Sequence, residues 1–109
     1  MKKFSCAIRG ILVALTDKGV VMQFLLAIAT IILGFFLHLD STEWLMVIVC
    51  IGLVLTSEIV NTSIEKLCDV VNPEYDKRIK DIKDMAAGAV LMAALAAFIV
   101  ATIIVLRRL

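Results

Sequence analysis

Apolar residues fill three long runs of the chain, and each run is long enough to form a helix that crosses a membrane. The runs cover residues 20–39, 44–64 and 85–106, and Glu58 is the only charged residue within them. A transmembrane helix needs about 20 mainly apolar residues, because a backbone in lipid must satisfy its polar groups within a helix or a closed barrel. The runs lack the polar–apolar alternation of barrel strands. The pattern therefore predicts three transmembrane helices.

The segment 1–18 has a different pattern, in which apolar residues recur at helical spacing among polar ones. The apolar positions are Phe4, Ile8, Ile11, Leu12 and Leu15. This spacing predicts an amphipathic helix that lies on the membrane surface. Charged residues at positions 9, 17 and 18 interrupt the segment, so it lacks the continuous apolar region of a cleaved signal peptide.

Asn72 and Pro73 predict where the helix of the second run ends. A residue before proline disfavours the α conformation, and proline is tolerated as the first residue of a helix. We therefore expect a new helix to begin at Pro73 and to continue through the loop 66–84 into the third span. Together these elements predict a single all-α membrane domain over residues 1–109, with a surface helix and three transmembrane helices.

Composition agrees with a membrane location and excludes several classes of protein. Of the 109 residues, 62% are hydrophobic, against about 45–50% in a soluble domain, and so short a chain has little interior in which to bury the excess. The net charge of +1 gives no sign of nucleic-acid binding.

The charged residues are concentrated at one side of the predicted membrane. Nine of the 11 Lys and Arg residues lie in the N-terminal segment and the loop 66–84, and the loop between the first two spans has none. The positive-inside rule then places the N-terminus and the 66–84 loop in the cytoplasm. Arg107 and Arg108 would lie outside, a mild violation of that rule.

Glu58 is the most informative residue, because an ionisable group inside a membrane span marks a candidate functional site. The simpler alternative is a Glu that only pairs with another polar group to hold helices together. Further polar residues follow on the same helical face, at Asn61, Thr62, Glu65 and Asp69. At about 1.5 Å per residue they form a row about 16 Å long. Carboxylates in such a row suit Mg²⁺ together with the phosphates that it carries.

Lys83 and Asp84 form a second polar cluster at the start of the third span. A lysine at this depth can contact a phosphate as a point charge, although an interfacial lysine that only reaches towards water is an equally good interpretation. The chain has neither a G-x-x-x-x-G-K-[ST] loop nor a G-x-G-x-x-G motif, so any nucleotide would bind without these phosphate-binding loops.

These polar segments closely resemble the bacterial integral-membrane lipid kinase family, which contains the diacylglycerol kinases and the undecaprenol kinases. Residues 58–69 have the sequence EIVNTSIEKLCD, and residues 83–91 have the sequence KDMAAGAVL. The first segment fits the family pattern E-x-x-N-[ST]-x-[IL]-E-x-x-x-D. The resemblance extends over nearly the whole chain, including the N-terminal segment and the three spans.

The resemblance implies a function and a role for individual residues. The expected reaction is ATP- and Mg²⁺-dependent phosphorylation of a membrane lipid hydroxyl in the bacterial cytoplasmic membrane, in phospholipid or cell-wall carrier recycling. Glu58 matches the general base, and Glu65 matches a metal-binding residue. The residues expected around the nucleotide are Asp17, Asn61, Glu65, Asp69, Lys83 and Asp84.

Asp17 is where the chain departs from the family. It takes the place of a second metal-binding Glu and is one methylene shorter. The family often has an Arg a few residues later, and this chain has none there, although Lys18 could substitute.

Family members are homotrimers with active sites shared between subunits, and the resemblance implies the same here. Alanines at positions 89, 93, 97 and 101 would let helices approach closely. The acceptor is undecaprenol or diacylglycerol, with undecaprenol slightly favoured by the segment Pro73-Glu74-Tyr75 and the short N-terminus.

Two other functions compete with the kinase. A small proton-coupled multidrug-type transporter could use Glu58, but such proteins usually have four spans and no charged cytoplasmic face. A holin-like assembly protein would not need Glu58, Glu65 and Asp69 on one face.

Overall fold

The computed structural model describes residues 2–109, and this part of the chain is helical without a strand. The four helices are α1 (Lys2–Ala14), α2 (Lys18–Leu37), α3 (Ser41–Val71) and α4 (Lys77–Arg108). Each of α2, α3 and α4 is long and apolar enough to cross a membrane. The predicted all-α membrane architecture with three spans is therefore confirmed, and a separate helix precedes the first span.

The three long helices form a bundle with little interior of its own. α4 packs along α3, and α2 packs against α3 over a shorter length. Val20 and Glu43 are the largest side chains that the chain buries completely, whereas most large apolar side chains are exposed. Lipid tails are as apolar as a protein core, so this exposure is compatible with a bilayer as the surrounding solvent.

Aspartates cap the starts of the three long helices. Asp17 precedes α2, Asp40 precedes α3 and Asp76 precedes α4, and each side chain accepts a hydrogen bond from a backbone N–H of the first turn. Such caps satisfy donors that a helix start leaves unpaired. A hydrogen bond from the Arg78 side chain lowers the pKa of Asp76, so this cap stays ionised over the physiological pH range.

The connection between α3 and α4 is shorter than the predicted 66–84 loop. Only residues 72–76 lie outside the two helices. The prediction that a helix begins at Pro73 is wrong: the Asn72 side chain accepts the N–H of Glu74 in a turn, and α4 starts only after Asp76. The expectation that one helix continues from the loop into the third span is confirmed, because α4 is unbroken.

The length of α3 places its polar residues relative to a bilayer. A helix of 31 residues is about 46 Å long, which exceeds the hydrocarbon thickness of about 30 Å. If Ser41 lies at one edge of the hydrocarbon layer, Glu58 lies about 25 Å away, just inside the opposite edge. Asp69, about 42 Å away, then lies beyond that edge.

A charged cluster holds together the end of the bundle at which α2 is connected to α3. This end, residues 37–43 and 106–109, is here called the hairpin end. Arg108 donates hydrogen bonds to the backbone oxygens of Leu37 and His38 and to Glu43. Arg107 lies 3.7 Å from Asp40 and 3.8 Å from Glu43. Both arginines are thus neutralised by acids at the start of α3, one at its N-cap and one in its first turn.

Gly34 allows α2 to meet the start of α3, and its replacement by Ala is expected to destabilise the bundle. A Cβ at position 34 would lie 2.7 Å from Cη2 of Trp44 and 3.1 Å from Cδ1 of Leu39. Overpacking of this kind costs about 1–3 kcal/mol. Thermal or denaturant unfolding in detergent would show a lower stability for Gly34→Ala than for the matched control Gly52→Ala, whose Cβ meets nothing within 4 Å. Equal stabilities would contradict this interpretation of the packing.

Candidate functional site

The carboxylates of Asp17 and Glu58 lie side by side at the opposite end of the bundle, here called the loop end (residues 14–20 and 58–84). A Cβ built on Gly19 would be 2.8 Å from Oε1 of Glu58 and 3.1 Å from Oδ2 of Asp17. Both carboxylates therefore contact the same face of Gly19. The absence of a side chain there lets α2 approach the half-buried Glu58 of α3.

Asp17 is held in place from both helices. Its Oδ2 accepts a hydrogen bond from the backbone N–H of Val20 at 3.1 Å and one from the hydroxyl of Thr62 at 3.4 Å. Thr62 is buried, so this bond fixes the start of α2 against α3. Two carboxylates against one glycine repel each other unless a proton or a cation lies between them, and the pair is therefore suited to bind one.

Asn61 and Glu65 form a second pair on the same helix. The side-chain amide of Asn61 donates to Oε1 of Glu65 at 3.0 Å, which orients the exposed Glu65 carboxylate. Asn61 is 8% exposed, and its Oδ1 is buried with no hydrogen-bond partner among the described residues. A buried oxygen without a partner is costly, so a bound donor or cation at this point would stabilise the site.

Asp69 and Lys83 join α3 to α4. Nζ of Lys83 donates to Oδ1 of Asp69 at 2.7 Å, which holds the ammonium group beside the row of acids. Asp84 has a different partner, since it accepts a hydrogen bond from the exposed Lys80 at 2.8 Å. Asp84 forms no hydrogen bond or ion pair with the other predicted site residues among the described residues, although it lines one cavity together with Lys83.

Charged site residues that share no hydrogen bond still interact electrostatically. The charges of Asp17 and Glu65 both act on Glu58, and the charge of Glu65 acts on Lys83. The predicted residues other than Asp84 therefore form a continuous polar region along α3, which spans the edge of the apolar layer and the space beyond it.

Oxygen donors in this region fit Mg²⁺ only together with a phosphate ligand. The described residues contain no group of three His, Cys, Asp or Glu side chains that could hold a metal ion alone. Mg²⁺ usually binds through one or two carboxylates and the phosphates of its substrate. Asp17, Glu65 and the unpartnered oxygen of Asn61 supply suitable atoms, so the donor set is compatible with a metal–phosphate complex.

Gly19 and Thr62 have positioning roles that the sequence did not predict. Thr62 was placed in the polar row that follows Glu58 on one helical face, but its hydrogen bond to Asp17 was not expected. No pattern in the sequence marks Gly19, because its role depends on how closely α2 approaches α3.

Replacing Gly19 with Ala is expected to reduce any activity that depends on Glu58. The new methyl group would displace the Glu58 carboxylate, which is the end of a flexible side chain and can move at little cost to the fold. A displacement approaching 1 Å can reduce a rate by about 10²-fold, and we expect a loss of about 3- to 100-fold in kcat. Gly88→Ala is the control, because its Cβ meets nothing within 4 Å. A loss of folded protein in place of a loss of rate would contradict this role.

Comparison with known proteins gives matches over nearly the whole chain. The family model described as Prokaryotic diacylglycerol kinase matches residues 5–105. The Undecaprenol kinase of Bacillus subtilis is 34% identical over 109 residues, which cover 99% of this chain and 89% of that protein.

Two diacylglycerol kinases match a shorter stretch. The Diacylglycerol kinase of Synechocystis is 39% identical over 74 residues, which cover 67% of this chain and 42% of that protein. The Diacylglycerol kinase of Helicobacter pylori is 37% identical over 68 residues, which cover 62% of this chain and 53% of that protein. The matched stretch thus spans about half the length of these two relatives.

Proposed function

The chain belongs to the prokaryotic diacylglycerol kinase family and is a lipid kinase, and from this premise we propose that it phosphorylates the hydroxyl of undecaprenol, or of diacylglycerol, with ATP and Mg²⁺. The observation that carries the proposal is that the carboxylates of Asp17 and Glu58 both lie against Gly19, at the edge of the apolar layer. A lipid hydroxyl in the headgroup region reaches this depth from the bilayer, and a nucleotide reaches it from water.

Glu58 is the proposed general base. Phosphoryl transfer depends mainly on positioning and on electrostatic stabilisation. A carboxylate beside the lipid hydroxyl accepts its proton as the oxygen attacks the γ-phosphorus, whose bond to the bridging oxygen breaks so that ADP leaves. Glu58 lies beside Asp17 at the start of α2 and on the same helical face as Glu65. Of the α3 carboxylates at the loop end, Glu58 is the one that lies within the apolar layer when Ser41 is at the opposite edge.

Asp17 and Glu65 are the proposed Mg²⁺ ligands. A bound Mg²⁺ would neutralise the phosphates of ATP and the charge that develops on them. Asn61 orients Glu65 through their hydrogen bond at 3.0 Å. The carboxylate of Asp17 has one oxygen engaged by Val20 and Thr62, which leaves its other oxygen for a ligand.

Lys83, Asp69 and Asp84 are proposed to complete the nucleotide site. Asp69 holds the ammonium group of Lys83, which can contact a phosphate as a point charge. Asp84 is exposed, and its carboxylate can accept hydrogen bonds from ribose hydroxyls or from a base amino group. Its carboxylate also pairs with Lys80.

Undecaprenol is the favoured acceptor. The match to the Undecaprenol kinase of Bacillus subtilis covers nearly all of both chains, whereas the matches to the two diacylglycerol kinases cover about half of those proteins. Nothing observed favours the transporter alternative.

A homotrimer with shared sites, and a cytoplasmic loop end, also belong to this proposal. The exposed apolar surface of the single chain supports association with further copies as well as with lipid. The concentration of Lys and Arg in the N-terminal segment and in residues 66–84 supports the orientation.

The test is a comparison of two acceptors with one preparation. Purified protein in a phosphatidylcholine bilayer would receive labelled ATP, Mg²⁺, and equal mole fractions of undecaprenol or diacylglycerol. We expect label in undecaprenyl phosphate at the higher rate and no transfer when Mg²⁺ is removed by a chelator. Faster transfer to diacylglycerol would overturn the acceptor assignment, and transfer unaffected by chelation would overturn the requirement for Mg²⁺.

A further inference from the structure

A cavity of about 230 Å³ lies between α1 and α3, next to the carboxylate pair. Thr62 belongs to both places, because it lines the cavity and its hydroxyl donates to Asp17. The cavity has a polar side and an apolar side. The polar groups are Arg9, Ser63 and Lys66, and the apolar groups include Val13 and Ile59.

Arg9 and Lys66 differ from the basic residues at the start of α4 in having no acidic partner. Within residues 2–109, neither forms an ion pair with a carboxylate. In contrast, each basic residue between positions 77 and 83 is paired with an aspartate, namely Lys77, Arg78, Lys80 and Lys83. Two uncompensated positive charges therefore line one cavity, and their field favours an anion there.

The arrangement of the lining fits a lipid better than a free anion. Lys66 lies seven residues after Ile59, about 10 Å further along α3. The cationic side of the cavity is thus at headgroup depth when Ile59 is at the edge of the apolar layer. A phospholipid contacts the cations with its phosphate oxygens and the apolar side with the hydrocarbon next to its phosphate. Inorganic phosphate can contact only the cations.

We infer that this cavity binds the phosphate group of an anionic lipid, with Arg9 and Lys66 as its counterions. The site is separate from the one for the acceptor hydroxyl, because the carboxylates of Asp17 and Glu58 repel an anion. A phosphomonoester carries about −1.5 to −2 charges at pH 7, so it is favoured over a singly charged phosphodiester. This preference connects the inference to the proposed function, whose product is a lipid phosphomonoester.

Binding is measured without nucleotide, on the full chain in detergent, by native mass spectrometry. The probes are dioleoyl phosphatidic acid, dioleoyl phosphatidylglycerol and inorganic phosphate. We expect phosphatidic acid to bind most tightly, and Arg9→Gln and Lys66→Gln each to weaken it about fivefold, since one basic residue near a membrane surface contributes about that factor. Lys77→Gln is the matched control, because that lysine is exposed and already paired, and its affinity is expected to be unchanged.

Each other outcome counts against the inference. Equal weakening by Lys77→Gln would show a general charge effect. Equal binding of phosphatidylglycerol would show that the site does not prefer a phosphomonoester. Displacement of phosphatidic acid by inorganic phosphate at the same concentration would show that the site does not require a lipid. Lys66→Arg keeps the charge and is expected to retain binding, which separates loss of the counterion from a folding defect. Since no ATP is present, failure of this experiment leaves the lipid-phosphorylation assay unaffected, and failure of that assay leaves this binding result unaffected.

Discussion

Replacing Glu58 with Gln is expected to reduce lipid phosphorylation by about 10²- to 10⁴-fold, the range that general bases contribute. Gln has nearly the same size and can still contact Gly19, but it cannot accept the proton of the lipid hydroxyl. Nucleotide affinity is expected to stay within about twofold, because the proposed phosphate ligands lie further along α3 and on α4. Initial rates with labelled ATP and equilibrium binding of a non-hydrolysable ATP analogue would measure the two effects separately.

Glu74→Gln is the matched control for this change. Glu74 is exposed in the connection between α3 and α4, so its rate is expected to equal that of the unaltered protein. If Glu58→Gln weakened nucleotide binding as much as it slowed turnover, Glu58 would have a structural or binding role, and the assignment as general base would be wrong.

Replacing Glu65 with Gln is expected to raise the Mg²⁺ concentration for half-maximal rate by at least about tenfold. Changes that merely disturb the support of a metal ligand cost 10–100-fold in affinity, and this change removes the negative charge of a proposed ligand. The amide oxygen of the new side chain can still accept the hydrogen bond that Asn61 donates at 3.0 Å to Glu65, so the local geometry is largely retained. A titration of rate against free Mg²⁺ at saturating ATP would measure the shift.

Asp81→Asn serves as the control for Glu65→Gln. Asp81 is exposed and pairs only with Lys77 among the described ion pairs, and its Mg²⁺ titration is expected to match that of the unaltered protein. An unchanged titration for Glu65→Gln would refute its role as a metal ligand, even if the maximal rate fell.

Features that depend on a single helix were predictable from the sequence. The three apolar runs predicted α2, α3 and α4, because length and hydropathy alone decide whether a helix can cross a bilayer. The helical spacing of Glu58, Asn61 and Glu65 placed them on one face, and the hydrogen bond between Asn61 and Glu65 follows from their i,i+4 separation. The start of α4 was misplaced, because the turn at Asn72 and the cap at Asp76 outweighed the usual preference of proline for a helix start.

Contacts between helices were not predictable. The hydrogen bond from Thr62 to Asp17 joins residues 45 positions apart, and the contact between Arg108 and Glu43 joins residues 65 positions apart. Each depends on how one helix is rotated about its axis relative to α3. A helix that is apolar on every side has no amphipathic pattern to indicate that rotation.

The charged cluster at the hairpin end has a consequence for insertion of the chain into an energised membrane. Moving one elementary charge across 100 mV involves about 2.3 kcal/mol, so two uncompensated arginines would make translocation of this end strongly voltage-dependent. Asp40 and Glu43 carry two opposite charges to the same place as Arg107 and Arg108. The electrical work on these four side chains therefore cancels, and the membrane potential neither favours nor opposes the movement of this end across the bilayer.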